Sequence, residues 1–80
     1  MDTVRRPVKK TDGLSAQFGR NISKLRNERG LTQEQLAEKA DVHWRYLQQL
    51  EYGPCNPSLK VLARLKKALA CSWDELLQKI

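Results

Sequence analysis

The stretch TQEQLAEKADVHWRYLQQLEYG, residues 32–53, decides the fold of this 80-residue chain. Thr32 and Gln35 have the spacing of a capping box, in which each side chain accepts a hydrogen bond from the other residue's backbone N–H. A helix is therefore predicted to begin directly after Thr32. Apolar residues then recur at helical intervals, with one interruption at Asp41-Val42. The pattern predicts two short helices joined by a very short turn.

The residues around this turn suit a close crossing of the two helices. Ala37 is small where the second helix of the pair must pass. Asp41 stands where the chain needs a positive φ, which Asp tolerates better than most residues. His43 can cap the next helix when its ring is neutral. That helix is predicted over residues 44–51 and is ended by the pair Gly53-Pro54.

Another helix is predicted before this stretch. Its apolar stripe consists of Leu14, Phe18, Ile22 and Leu25. Ser15 is predicted to cap this helix and Gly30 to stop it. Residues 1–13 carry four basic side chains without periodicity, so we interpret them as a flexible basic N-terminal arm. An inert tail is an equally good interpretation.

Two more helices are predicted after the stretch. Asn56, as a side-chain cap, and Pro57, at the first helical position, predict the start of the fourth helix. Its core stripe is Leu59, Leu62, Leu65 and Leu69. Ser72 and Glu75 form a second capping-box pattern that begins the fifth helix. Because no segment alternates with period two, we predict an all-α, compact five-helix domain over residues 14–80.

The charge of the chain is basic, with 15 Lys and Arg against 9 Asp and Glu and a net charge of +6. A basic surface fits phosphate groups or an anionic membrane, and an ordinary solvated surface is the alternative. No apolar run approaches the ~18 residues of a membrane span, and no signal-peptide core is present. A cytoplasmic protein without a membrane partner is expected.

No arrangement of residues for catalysis or metal binding is evident. The single histidine, His43, has no nucleophile as a partner, and Cys55 and Cys71 lack CxxC spacing and flanking bases. No phosphate-binding glycine loop is found. We therefore predict a non-enzymatic protein with free thiols and with no metal, cofactor or small-molecule ligand.

The third helix has two faces when about 100° is counted per residue from Val42. One arc of about 140° holds the residues predicted to pack inward: Val42, Tyr46, Leu47 and Leu50. The arc from about 200° to about 340° holds the residues predicted to face outward: Trp44, Gln48, Arg45 and Gln49. For Trp44 the alternative is that its ring folds back over a neighbouring helix.

Together these motifs resemble the Cro and phage-repressor-like (Xre-type) helix-turn-helix family. The resemblance covers about residues 16–78 and rests on RNERGLTQEQLAEKADV, YLQQLEYG and NPSLKVLARLKKALACSWDELL, in that order. It implies a third helix in the major groove of DNA, and dimers on palindromic operators with half-sites roughly 34 Å apart. Two positions depart from the family pattern. Asp41 stands where Gly is usual, and His43 stands where Ser or Thr is usual.

The resemblance also implies which residues touch bases. It assigns base reading to Trp44, Arg45 and Gln49. His43 and Gln48 lie beside them in the sequence. An arginine can bond O6 and N7 of guanine, a glutamine can bond N6 and N7 of adenine, and an indole can press on a thymine methyl group. The alternative for Arg45 is a solvated side chain.

Phosphate contacts are expected at helix starts, where free N–H groups and the helix dipole favour an anion. The resemblance implies a phosphate clamp at the start of the second helix, from Gln33 together with Thr32. The further residues assigned to phosphate are Asn56 and Ser58 at the fourth helix, and Tyr46. The resemblance further implies a partly buried ion pair between Arg26 and Glu51, which links the first helix to the third.

The fifth helix and the loop before it are the predicted dimer surface, because Trp73, Leu77 and Ile80 offer more apolar area than one short helix usually buries. The alternative is that Trp73 closes the core of the monomer. We therefore predict a dimeric, sequence-specific regulator of transcription that acts as a repressor on double-stranded DNA. The alternatives are a controller protein of a restriction-modification system and a protein-interaction module of the antitoxin type.

Overall fold

The computed structural model describes residues 7–52 and 55–80 of the chain. Within these ranges it contains no strand and five helices: α1 (Pro7–Glu28), α2 (Gln33–Ala40), α3 (Trp44–Tyr52), α4 (Leu59–Leu69) and α5 (Trp73–Leu76). The predicted all-α architecture of five helices is confirmed. Gly53 and Pro54, the predicted end of the third helix, lie outside the described residues.

The start of α1 differs from the prediction. The helix begins at Pro7, so the cap predicted at Ser15 is wrong. Ser15 is buried inside the helix, where its Oγ donates a hydrogen bond of 3.0 Å to Oδ1 of Asn56. The arm predicted over residues 1–13 therefore overlaps α1 from Pro7 onwards, and its first six residues lie outside the described residues.

The start of α4 also differs from the prediction. Its N-cap is Ser58, whose Oγ accepts a hydrogen bond of 3.2 Å from the backbone N–H of Val61. The cap predicted at Asn56 is wrong, because that side chain is turned towards α1 instead. Leu59 is 82% exposed and does not belong to the core stripe in which it was placed.

Both predicted capping boxes are present. In the first box, Gln35 N donates to Thr32 Oγ1 at 3.0 Å, and Thr32 N donates to Gln35 Oε1 at 2.8 Å. In the second box, the corresponding distances between Ser72 and Glu75 are 3.0 Å and 2.9 Å. The hydrogen bond from the Ser72 backbone lowers the pKa of the Glu75 carboxyl below its ordinary value.

The turn between α2 and α3 has the left-handed backbone that was predicted. Asp41 has φ 57° and ψ 47°, and its N–H contacts the carbonyl groups of Ala37 and Glu38. Such a cap satisfies carbonyl groups that a helix end leaves free. Arg64 of α4 donates from Nη1 to the carbonyl oxygen of Asp41 at 3.2 Å, so α4 is joined to the turn.

The core draws side chains from every helix. Its buried apolar members are Phe18, Ile22, Leu25, Leu36, Ala37, Ala40, Leu47, Leu50, Leu65, Leu69, Cys71 and Leu76. The backbones of α1 and α3 approach closely at Gly19 of α1. A Cβ atom at this position would lie 2.5 Å from the carbonyl oxygen of Leu50 in α3. Because no side chain fits there, Gly19 sets the distance between α1 and α3.

A buried asparagine fastens α5 to α1. Asn21 donates from Nδ2 to the carbonyl oxygens of Leu76 at 2.9 Å and Gln78 at 3.0 Å. Its Oδ1 accepts a hydrogen bond of 2.9 Å from Nε2 of Gln17. The buried amide is thus satisfied on both sides, and it fixes the end of a helix only four residues long.

Both cysteines are free thiols. Cys71 is buried and Cys55 half-buried, and burial raises the pKa of each thiol above its ordinary value. Among the described residues, no helix is both long and apolar enough to cross a membrane. No group of three or more His, Cys, Asp or Glu within the same part of the chain is placed to hold a metal ion.

Candidate nucleic-acid interface

The two faces of α3 are those predicted from helical spacing. Leu47 and Leu50 are fully buried, and Val42 and Tyr46 are partly buried against the core. The residues on the opposite face are Trp44, Arg45 and Gln49, which are exposed, and Gln48, which is half-buried. The helix is therefore anchored along one side and open along the other.

The start of α3 is capped by a histidine. Nδ1 of His43 accepts a hydrogen bond of 3.1 Å from the backbone N–H of Arg45, and the His43 carbonyl accepts one from Leu47 N. The ring must have Nδ1 unprotonated to accept this bond, as the sequence suggested. Nε2 is the ring atom left for any partner beyond the protein.

Trp44 stands at the border between α3 and the start of α2. Its side chain is 42% exposed, and it lines a shallow depression together with Thr32, Gln33 and Arg26. The ring therefore faces outward, as helical spacing predicts, although part of its surface is covered. This arrangement brings one assigned base-reading residue next to both residues assigned to phosphate at α2.

A larger groove runs beside Trp44 between α1 and α3. It has a volume of about 630 Å³, and its lining residues are Ser23, Arg26, Gln33, Arg45, Gln48, Gln49, Glu51 and Tyr52. Three of the assigned base-reading residues are therefore side by side in one surface feature. The groove offers amide, guanidinium and hydroxyl groups, which are the donors and acceptors that base edges and phosphates require.

The ion pair that the resemblance implies is present at the floor of this groove. Arg26 donates from Nε to Glu51 Oε2 at 2.7 Å and from Nη2 to Oε1 at 3.0 Å, a bidentate contact. The two side chains are 13% and 5% exposed. Gln33 donates from Nε2 to Glu51 Oε1 at 3.0 Å, and Arg26 also bonds the carbonyl oxygen of Leu31. One carboxylate thus joins α1, α2 and α3.

The second set of residues assigned to phosphate contacts, Asn56, Ser58 and Tyr46, lies apart from the groove. Asn56 is bonded to Ser15, and the Ser58 hydroxyl accepts from the first turn of α4. Tyr46 is half-buried, and burial raises the pKa of its phenol above the ordinary value. Of these three residues, Asn56 and Ser58 are exposed to solvent.

Two groove residues were not singled out in the sequence. Ser23 contributes from α1, and only the packing of α1 on α3 brings it to the groove. Tyr52 lies at about 280° in the count from Val42, inside the outward arc, so helical spacing carried a signal for it. Because the helix was predicted to end at Glu51, Tyr52 was not included among the residues predicted to face outward.

The assigned dimer surface is exposed on the described part of the chain. Trp73 is 45% exposed, Leu77 37% and Ile80 52%, and Nζ of Lys66 lies 5.4 Å from the centre of the Trp73 ring. Leu76, rather than Trp73, is the fully buried residue of α5. The alternative in which Trp73 closes the monomer core is therefore wrong.

Comparison with known proteins assigns the chain to a family. A family model described as Helix-turn-helix matches residues 22–76, and the chain belongs to this family, as its resemblance to the Cro and phage-repressor type indicated. The match includes α2, the turn, α3 and α4.

Three curated relatives extend this assignment. The chain is 41% identical over 58 residues to the uncharacterized HTH-type transcriptional regulator y4dJ of Sinorhizobium fredii, covering 72% of this chain and 75% of that protein. It is 31% identical over 68 residues to the control protein C.BamHI of Bacillus amyloliquefaciens, with 84% of each covered. It is 47% identical over 51 residues to the immunity repressor of Bacillus phage phi105, covering 64% of this chain and 35% of the repressor.

Proposed function

We propose that the chain binds double-stranded DNA at specific sequences and thereby regulates transcription, with α3 in the major groove. The observation that carries this proposal is the outward face of α3, where Arg45 and Gln49 are exposed beside the half-exposed Trp44. The helix-turn-helix family and relatives described as transcriptional regulators support the same function. We propose no enzymatic activity for the protein, and we expect it to be located in the cytoplasm.

Each outward side chain has a contact that its chemistry favours. Arg45 suits guanine and Gln49 suits adenine, because each side chain can make two hydrogen bonds to the edge of that base. Trp44 suits a thymine methyl group through its ring and a single acceptor through its indole N–H. His43 and Gln48 flank these residues and complete the base-reading set.

Two groups of residues are proposed to hold the DNA backbone. The first is Thr32 and Gln33, which lie beside Trp44 at the start of α2. The second comprises Asn56 and Ser58 before α4, together with Tyr46. Thr32, Gln33 and Ser58 lie at helix starts, where backbone N–H groups and the helix dipole attract an anion. The four basic residues within positions 1–13, namely Arg5, Arg6, Lys9 and Lys10, are proposed to add electrostatic attraction.

Arg45→Ala is expected to relax base preference at one position of the bound site and to cost about 1–3 kcal/mol in discrimination. Selection of bound sites from random duplexes by the wild type and the variant measures this effect. Lys67→Ala is the matched control, since it removes one exposed positive charge on α4, outside the groove. Unchanged base preference in Arg45→Ala would refute the assignment of base reading.

The affinity for the selected duplex is expected to fall steeply with salt. About six phosphate contacts give a slope of log affinity against log salt of about −5, because bound counterions are released on association. A titration between low and physiological salt measures this slope. A protein-interaction or antitoxin-type module would bind no duplex with measurable preference. The binding measurement therefore distinguishes a DNA-binding regulator from such a module.

We further propose that the chain acts as a homodimer on a palindromic operator through Trp73, Leu77 and Ile80. Sedimentation at micromolar concentration is expected to show a dimer, and Leu77→Lys is expected to yield a monomer because a charge would enter an apolar interface. Leu59→Lys is the control, since Leu59 is 82% exposed on α4. A strict monomer with and without DNA would count against the dimer.

Among transcriptional regulators, we favour a controller protein of a restriction-modification system as the specific role of this protein. A phage-type repressor is the alternative. The support is the alignment with C.BamHI, which covers 84% of both chains, whereas the phage repressor is covered over 35% of its length. The identity of the neighbouring genes tests this choice. A methyltransferase and an endonuclease beside the gene would favour the controller.

A further inference from the structure

The residues of the proposed dimer surface lie on or directly after the shortest helix of the fold. Leu77 and Ile80 follow α5, which has only four residues. Short helices are marginal by themselves, so the position of α5 depends on tertiary contacts. The buried side chain of Leu76 anchors α5 to the core at one point. One such anchor does not by itself fix the direction of residues 77–80.

A second attachment comes from the buried side chain of Asn21 in α1. Asn21 is 3% exposed, and its Nδ2 donates to the carbonyl oxygens of Leu76 at 2.9 Å and Gln78 at 3.0 Å. These two carbonyl groups lie on either side of Leu77 along the chain. The carbonyl oxygen of Leu77 in turn accepts a hydrogen bond of 3.1 Å from the N–H of Ile80. The positions of both apolar residues therefore depend on one amide.

The amide of Asn21 is itself held in one orientation. Its Oδ1 accepts a hydrogen bond of 2.9 Å from Nε2 of Gln17, one turn earlier in α1. A flipped amide would place Oδ1 against the two carbonyl oxygens, where no hydrogen bond can form. Within the described part of the chain, no other side-chain hydrogen bond joins α1 to residues 76–80. Asn21 is thus the polar link between the two segments.

A segment that is ordered before association makes an interface less costly to form. A flexible segment loses conformational entropy when a partner fixes it, and that loss subtracts from the affinity. A segment that is already held in place has lost this entropy during folding. Because Asn21 is buried, it offers no contact area to a second copy. Its effect on association is therefore transmitted through Leu77 and Ile80.

We propose that Asn21 is a positioning residue for the interface between two copies of the chain, which holds Leu77 and Ile80 in the arrangement that the second copy meets. This inference rests on the proposed function, because it requires the dimer that these residues and Trp73 are proposed to form. It gives a buried polar side chain of α1 a role in assembly. Removal of the Asn21 donors weakens dimerisation and leaves the exposed face of α3 unchanged.

The first test removes the donors of Asn21 while keeping the shape of the side chain. Asn21→Asp places a carboxylate opposite two carbonyl oxygens. We expect a dimer at least about tenfold weaker, because residues 77–80 must then be ordered during association. Sedimentation equilibrium of the full chain measures the dissociation constant at a temperature where circular dichroism shows a folded protein. Asn27→Asp is the matched control with a wild-type dimer expected, since Asn27 is an exposed residue of α1.

Gln17→Ala is a milder variant that leaves Asn21 in place. It removes the hydrogen bond that orients the Asn21 amide, and we expect a dimer about threefold weaker. Hydrogen exchange at the Ile80 amide is expected to be faster in both variants than in the protein with Asn21 and Gln17 intact. This exchange is measured in the Leu77→Lys background, where a monomer is expected and the dimer itself cannot protect the amide.

The dissociation constant separates positioning from ordinary stabilisation. Any lost buried hydrogen bond lowers the unfolding midpoint, whereas the dissociation constant compares folded monomer with folded dimer. Wild-type dissociation constants in folded Asn21→Asp and in Gln17→Ala would overturn the proposal. An equal loss in Asn27→Asp would also overturn it, because an added negative charge would then explain the effect. If Asn21→Asp fails to fold, the result for Gln17→Ala decides.

The outcomes also separate this proposal from the function on which it rests. If the wild type is a strict monomer with and without DNA, the proposed dimer is wrong, and the role of Asn21 is wrong with it. If Leu77→Lys is a monomer and the folded Asn21 and Gln17 variants dimerise like the wild type, only the role of Asn21 is wrong. The proposed base reading is tested independently by Arg45→Ala.

Discussion

Glu51→Ala is expected to destabilise the protein by about 3–5 kcal/mol, the largest effect that we predict for a single substitution. The Glu51 side chain is 5% exposed and accepts hydrogen bonds from both Arg26 and Gln33. Its removal would leave a guanidinium that is 13% exposed without its carboxylate, and the cost of an unpaired buried charge exceeds that of the lost contact. Urea unfolding, followed by circular dichroism, measures the change.

Glu34→Ala is the matched control for this substitution. Glu34 is an exposed carboxylate in the first turn of α2, near the positive end of the helix dipole, and it forms no ion pair with the residues that the structure describes. Its loss is expected to cost about 0.3–1 kcal/mol. Equal unfolding midpoints for the two variants would refute the stabilising role of the ion pair and of the network around it.

Gly19→Ala is expected to destabilise the protein by about 2–3 kcal/mol, although alanine favours helices more than glycine does. The added Cβ would lie 2.5 Å from the carbonyl oxygen of Leu50 and 2.8 Å from that of Glu51. Because both obstacles are backbone atoms of α3, no side-chain rotation relieves the clash, and α1 and α3 must separate. The change also moves the helix that carries the proposed base-reading residues.

The same helix provides a control of opposite sign. A Cβ at Gly13 of α1 would meet no atom of the described residues within 4 Å. Gly13→Ala is therefore expected to stabilise the protein by about 0.5–1 kcal/mol through helix propensity and a smaller unfolded-state entropy. Thermal and urea unfolding of both variants measure the contrast. Stabilisation by Gly19→Ala would show that α1 and α3 are not in contact at this residue.

The features that were predicted correctly from the sequence are local ones. A capping box uses residues three apart, so Thr32 with Gln35 and Ser72 with Glu75 indicated two helix starts without knowledge of the fold. The faces of α3 likewise follow from a period of 3.6 residues. The left-handed backbone of Asp41 followed from the shortness of the turn.

The features that were missed depend on contacts between distant residues. Ser15 and Asn56 both have the side chains of helix caps, and they bond to each other across 41 positions instead. From the sequence, Gly19 is only a residue of low helix propensity within a predicted helix. Its role becomes evident when α3 packs against it. Asn21 looks like an ordinary polar residue, but it holds two carbonyl groups at the end of the chain's last helix.

The missed member of the groove has a different cause. Because the helix was predicted to end at Glu51, the direction in which Tyr52 faces was not considered, although α3 extends by this one further residue. Helix ends are uncertain by one or two residues in any assignment from sequence. At the end of a short helix, one residue decides whether a side chain joins the exposed face.

The network around the Glu51 carboxylate has a consequence for the thermodynamics of association. Because α1, α2 and α3 are joined at one carboxylate, the backbone of α3 is already in place before DNA arrives. Association is then expected to cost the conformational entropy of the proposed base-reading side chains, such as Trp44 and Arg45, and not that of a folding helix. Helical circular dichroism of the protein is therefore expected to stay constant during titration with DNA, unlike that of a segment that folds upon binding.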